Sequence, residues 1–300
     1  MRKDFSRISK AELVADVKRA IESKQGFAMG KIGFSEQFLL GYLPFLRTNP
    51  SVIQIKAYEA ALRYHCEIQF GVFPTDPEFL KEFARLHTAC TQAIDILGLF
   101  DAKQEKDLIV NNNINSKLIF YQQTEPDRSI PEKKEECYLP FLKGKKILFI
   151  SSFAELLKDR AKKDIFEAIW LEMDKKWFYP ESISAVEVPY SYITAGPNKD
   201  YKSSIHLYQS VCEKIDQHDY DVALIGMGSL GLPLAAHVKS KGKVALSLGG
   251  HLQVLFGVLG KRWKEDKYWI TNYINDSWIE MPVKYHPKNK DILADSGAYW

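Results

Sequence analysis

The stretch "YDVALIGMGSLGLPLAAHVKSKGKVALSLGG", residues 220–250, narrows the choice of fold more than any other part of the chain. Two short runs of Val, Ile, Leu and Ala flank a glycine-punctuated helical pattern. Such runs read as strands buried on both faces, and a helix between them sets the two strands parallel through a right-handed crossover. The alternation also appears upstream. "KKILFISSF" (145–153) reads as a strand followed by an amphipathic helix from Ala154 to about Lys175. "SAVEVPYSYI" (184–193) is a further strand, and a helix is expected from about Ser203 to Gln217. The expected fold class is α/β, a Rossmann-like and mostly parallel sheet with flanking helices.

The first third of the chain is built differently. Ser9 and Glu12 form a capping box ahead of a helix that Gly26 ends. "GFAMGKIGFSEQFLLGY" (26–42) then reads as strand, glycine turn and helix, with Glu36 at the mouth of the turn. Thr75–Glu78, with Pro77 in the first turn, opens a helix through about Leu97. "DLIVNNNINSKLIF" (107–120) is expected to be a strand–loop element. Asp95 and Asp101, six residues apart around "ILGLF", do not share one helix face and read as caps or surface residues. The Pro- and charge-rich "QTEPDRSIPEKKEE" (123–136) is the best linker candidate. The expected organisation is an N-terminal α/β part over 1–122, a linker over 123–144 and a Rossmann-like part over 145–300, the two parts being able to form one catalytic domain.

Composition excludes several classes. A formal net charge of +3 over 300 residues is too small to argue for nucleic acid. The four cysteines, Cys66, Cys90, Cys137 and Cys212, are too far apart for a zinc site or a disulfide framework. The first residues lack the apolar core of a signal peptide, and no apolar run approaches the roughly 18 residues of a membrane span. A cytoplasmic protein is expected, with membrane contact peripheral at most; a homo-oligomer is compatible with all of this.

Chemistry concentrates at the predicted strand ends. "GMGSLG", Gly226–Gly231, matches G-x-G-x-x-G after a strand and before a helix. Glycines allow close backbone approach, and free N–H groups with the helix dipole attract phosphate. Three readings stay open here: a nicotinamide dinucleotide, another phosphate-bearing ligand such as a nucleotide sugar, or glycines that only pack helix on sheet. The dinucleotide reading calls for an acid at the end of the next strand, where this chain has Ser247, Gly249 and Gly250. His251 begins the next helix. Arg262 is a candidate diphosphate clamp and Trp263 a candidate stacking ring. Ser151 and Ser152 follow the 145–153 strand and are candidates for ligand hydroxyls, or else plain caps.

The block 221–263 resembles the C-terminal half of bacterial GT-D-type glycosyltransferase domains, particularly a branch found among surface-polysaccharide genes. The likeness continues through "ISSFAELL", "NYINDSWIEMP" and the terminal "GAYW". "GKIGFSE" is similar to that group's Arg-x-Gly-Asp-x-Glu nucleotide-sugar motif. Lys31 stands in the place of the Arg, Gly33 and Glu36 match, and Phe34 replaces the Asp. The resemblance implies a transferase moving a sugar from a nucleotide-diphosphate donor to an acceptor hydroxyl, on a saccharide or a lipid-linked saccharide, in surface-polysaccharide or glycan synthesis. Catalytic candidates are Glu36 and His251. Substrate-binding candidates are Lys31, Gly33, Ser35, Ser151, Ser152, Gly226, Gly228, Ser229, Gly249, Gly250, Arg262 and Trp263. The motif's Asp-x-Glu pair is associated with Mn²⁺ or Mg²⁺. With Phe34 in place of the Asp, Glu36 is left as the motif's one metal ligand, a weak site, so both Mn²⁺ or Mg²⁺ at Glu36 and catalysis without metal, with Lys31 and Arg262 neutralising the leaving group, stay open. The alternatives are an NAD(P)-dependent oxidoreductase using the 226–231 loop and a non-catalytic nucleotide-sugar-binding protein. The terminal Tyr299–Trp300 pair is too apolar to fray and is expected to dock against the body.

Overall fold

The apolar runs at the middle of the sheet are buried on both sides, and seven short strands form that one sheet in the computed structural model, which describes residues 6–100, 103–126, 137–192 and 200–300. In chain order they are β1 (Phe27–Lys31), β2 (Ile96–Leu99), β3 (Lys117–Phe120), β4 (Lys146–Ser151), β5 (Ser182–Glu187), β6 (Val222–Gly226) and β7 (Val244–Ser247). In space they run β3-β2-β1-β7-β6-β4-β5, every pair parallel. The α/β architecture read from the sequence is therefore the one observed. The register β1–β7, with Phe27 opposite Val244 and Met29 opposite Leu246, joins strands from the two ends of the chain into one sheet.

Alternation along the strands supplies both cores. On β1, Phe27 and Met29 point to one face and Ala28 to the other. The first face is covered by α1 (Lys10–Ser23), α6 (Ala154–Arg160), α7 (Lys163–Ile169) and α10 (His251–Leu255). The second is covered by α2 (Phe34–Leu46), α4 (Pro77–Gln92), α5 (Lys103–Asn111), α8 (Ser204–Asp216) and α9 (Gly231–Ser240). Leu62 of α3 (Val52–Tyr64) also joins that second core. The chain leaving β1 enters the second face and the chain leaving the adjacent β7 enters the first. The same reversal separates β6 from β4. Neighbouring strands whose connections diverge in this way open a crevice at their carboxyl ends.

Four expectations are corrected. The helix opened at Asp76 stops at Gln92, and Ile96–Leu99 is β2, a strand too short to announce its period. The first half of 107–120 is helix, and only Lys117–Phe120 is strand. The helix drawn to Lys175 breaks after Arg160, where that side chain turns inward and donates to the carbonyls of Phe256 and Ser277 (2.6 and 2.7 Å). The described ends of the supposed linker are packed, with Thr124, Glu125, Pro126, Tyr138, Leu139 and Leu142 all buried. Most of its charged middle, and Asp101, lie outside the described residues. The terminal residues dock as expected: Trp300 is buried, its indole N–H donates to Tyr190 Oη (2.9 Å), and Lys261 N–H donates to the Trp300 carbonyl (3.1 Å).

Candidate functional site

A cavity of about 480 Å³ occupies the crevice at the carboxyl ends of β1, β4, β6 and β7. Its floor is made of strand-end turns: Lys31 and Gly33 after β1, Ser152 after β4, Gly226 and Gly228 after β6, and Ser247, Gly249 and Gly250 after β7. Ser35, Glu36 and Arg262 line it as well. Ten of the fourteen residues expected from the sequence thus come together at one place, Glu36 and the 226–231 turn among them.

Glu36 owes its position to the start of α2. Gly33 is the N-cap and has no side chain to satisfy the helix's first amides. Glu36, three residues on, folds back so that the amides of Gly33 and of Glu36 itself face its carboxylate. A Cβ at Gly33 would lie 2.4 Å from Glu36 Oε2, so the motif's glycine makes room for this fold-back. Although the side chain keeps some contact with the cavity, the carboxyl is enclosed by protein. Desolvation therefore dominates and pushes its pKa up to about 7, against the opposing pull of the two amides and of Lys31. A carboxylate that titrates near neutrality is suited to take a proton.

The two cations of the cavity are held by acids. Lys31 Nζ lies 2.8 Å from Glu125 Oε1 and over the ring of Tyr121, 4.5 Å from its centroid. Arg262 is paired with Asp295 at 2.6 Å and lies over the Tyr299 ring. Tyr299 in turn sits against Gly250, where a Cβ would come within 2.2 Å of the phenol ring. His65 Nδ1 shares a hydrogen bond with Ser35 Oγ at 3.2 Å, its ring stacks on Phe38, and burial lowers its pKa against the opposing pull of Asp295. Burial also keeps Tyr192, which lies close enough to Glu36 to feel its charge, in the protonated phenol form.

Four expected residues are elsewhere. His251 is buried behind the floor, with Nδ1 3.4 Å from Glu125 Oε2, and cannot meet an acceptor in the cavity. Ser151 is fully buried and its Oγ accepts from Phe153 N–H (3.2 Å), which is the cap reading. Ser229 turns away to donate to the Gly71 carbonyl (2.8 Å). Trp263 packs into the core against Trp269 and Tyr299, with no face left for a base.

The sequence reading overlooked Glu125, His65, Gln69, Tyr121, Tyr190, Tyr192 and Asp295, and it marked Tyr299 only as part of the docked terminal pair. Glu125 is the most informative of these, because it fell inside the stretch read as linker. Only the terminal aromatic pair carried a sequence signal. Phe34, at the motif's Asp position, is exposed at the cavity mouth, Asp295 is engaged by Arg262, and the described residues contain no group of three His, Cys, Asp or Glu placed to hold a metal. For a dinucleotide, β7 ends in Ser247 and offers no carboxylate to the ribose hydroxyls.

Comparison with known proteins adds little. No family model and no curated protein matches the chain. A solved structure of the highly conserved domain of unknown function 1792, described as having a distinct glycosyltransferase fold, is similar over 81% of this chain and 83% of its own, at 15% identity and a TM-score of 0.39. A likeness that remote carries no argument, so the case for function rests on the cavity.

Proposed function

We propose that the protein is a glycosyltransferase that moves a sugar from a nucleotide-diphosphate donor to an acceptor hydroxyl. The observation that carries this reading is the single cavity in which the Glu36 carboxyl, titrating near 7, faces glycine turns from three strand ends and the cations Lys31 and Arg262. The turns and cations suit a diphosphate, which needs its developing charge stabilised as it leaves. Glu36 suits the acceptor: as the acceptor oxygen bonds to the anomeric carbon, its proton passes to the carboxylate, while the bond from that carbon to the phosphate oxygen breaks and the electron pair leaves with the diphosphate. No step is assigned to a metal. A saccharide or lipid-linked saccharide of a surface polymer is the acceptor class we favour, and the cytoplasm is the compartment where such donors are made.

A thermal-shift panel tests the reading. Nucleotide-diphosphate sugars are expected to raise the melting temperature, since a ligand at a hundred times its Kd stabilises by about 2.7 kcal/mol, and added Mn²⁺ is expected to change the shift little. A shift with NADH and none with any nucleotide sugar would overturn it in favour of an oxidoreductase. Binding without turnover for every donor and acceptor tried would leave a nucleotide-sugar-binding protein instead.

A further inference from the structure

Helix α3 is built inside out. Of its thirteen residues only Leu62 is buried. At 100° per residue, Ile53, Ala57, Ala60 and Tyr64 fall on one stripe, and every one of them is exposed, Ile53 at 81% and Tyr64 at 54%. Val52 (66% exposed) lies at the edge of that stripe, together with the exposed cations Lys56 and Arg63. The one acid of the helix, Glu59, is turned to the protein side, where it accepts from Tyr42 Oη. The nearby acids of adjoining segments are engaged elsewhere: Glu78 is paired with Lys81 (2.8 Å), Asp295 with Arg262 (2.6 Å), and the half-buried Glu67 accepts from Thr75 Oγ1 (2.6 Å). The outer face of α3 is thus apolar along its centre, cationic on one flank and free of exposed acid.

The stripe also leads to the site. Tyr64 ends α3, and the next residue, His65, lines the cavity with its ring 5.6 Å from that of Phe34, itself exposed at the mouth. We propose that α3 is the surface by which the protein lies on an anionic lipid bilayer, its apolar stripe in the headgroup boundary and Lys56 and Arg63 against lipid phosphates, with the cavity mouth held at the membrane edge. An exposed apolar stripe flanked by cations and without an exposed acid is complementary to an anionic lipid surface, whereas two copies meeting through this same patch would set the cations of one against those of the other. Lipid docking requires nothing of the transferase reading. The link between the two, presentation of a lipid-linked acceptor at the mouth, does rest on it.

The test is co-sedimentation of the intact protein with phosphatidylcholine vesicles and with vesicles containing phosphatidylglycerol. Binding is expected only to the second and is expected to weaken as salt is raised. The K56Q/R63Q variant is expected to bind those vesicles roughly thirty-fold more weakly, and I53D to lose binding, both with unchanged melting temperatures because the changed residues are exposed. Equal binding to both vesicle types, equal binding by wild type and variants, or an oligomer that I53D dissociates would overturn the proposal. A nucleotide-sugar thermal shift measured on I53D without vesicles reports on the transferase reading separately.

Discussion

Two buried titratable groups tie chemistry to stability in opposite directions. Glu36 has a folded-state pKa near 7, well above that of an unfolded carboxyl, so it weakens the fold at high pH and this cost fades as pH falls from about 7 to about 4.5. His87 is fully buried in α4 and its Nε2 has no hydrogen-bond partner; burial depresses its pKa to about 4. The unfolded chain protonates this histidine first, so its contribution is lost as pH falls from about 6.5 to about 4. Between about 4.5 and 6.5 the two slopes oppose each other, each up to about 1.4 kcal/mol per pH unit. E36Q is therefore expected to raise the melting temperature at pH 8 by the equivalent of about 1 kcal/mol and to make stability fall more steeply below pH 6.5 than in the wild type. Melting curves across pH 4.5–8 decide this. On the proposed reading the same variant keeps donor binding and loses roughly 10²–10⁴-fold in turnover, and wild-type kcat/KM rises through an apparent pKa near 7. A pH-independent rate would remove Glu36 from the chemistry. Glu125 belongs to the same scale. E125Q keeps its shape but releases the charge that fixes Lys31, so weaker binding of nucleotide diphosphate than of nucleoside, relative to wild type, is the expected signature in a calorimetric titration.

At the scale of elements, legibility followed length and locality. β4, β6 and β7 could be read directly, because each is a short apolar run set off sharply by what precedes it, Lys-Gly-Lys before β4 and β7 and His-Asp-Tyr-Asp before β6. β2 could not, since four residues joined to the end of α4 extend a helical pattern as well as they form a strand. The site divided in the same way. Gly33 and Glu36 lie within one turn and announced themselves, whereas Glu125, His65 and Asp295 reach the cavity region from distant segments with no local pattern to mark them. His251 shows the converse: a helix start after glycines is visible in sequence, but what packs over it is not. The terminal segment offers a test at this scale. Tyr299 and Trp300 wall the cavity, Trp300 is buried, and Lys261 and Arg262 donate backbone hydrogen bonds to residues 300 and 298. Deleting residues 297–300 is expected to cost about 3–5 kcal/mol, the range for removing a buried tryptophan, and to abolish any nucleotide-sugar shift. An unchanged melting temperature by calorimetry would mean that the segment is not held.

At the scale of the whole molecule, the decisive contact is the β1–β7 seam. β1 comes from the first tenth of the chain, pairs with β7 along Phe27–Met29, and is packed from one side by α9, so the strands before and after the segment 123–144 share their cores instead of forming two. This sharing is what brings Lys31 and Glu36 to the glycine turns of β6 and β7, and it makes the site depend on cooperative folding. All six tryptophans, at 170, 177, 263, 269, 278 and 300, lie in the later part of the chain. Their fluorescence therefore reports on that part alone, whereas far-UV circular dichroism reports on every helix. If the seam couples the two, both probes follow one transition in urea. Met29 is fully buried in β1, against the face that also holds Trp170, Trp263 and Trp278. M29A is expected to cost about 2–5 kcal/mol and to move the tryptophan transition and the dichroism transition by the same amount, although no tryptophan lies within a hundred residues of it in sequence. A shift in dichroism with the fluorescence midpoint unmoved would show the seam to be weak, and a cavity assembled across it would then lack the rigidity its chemistry needs.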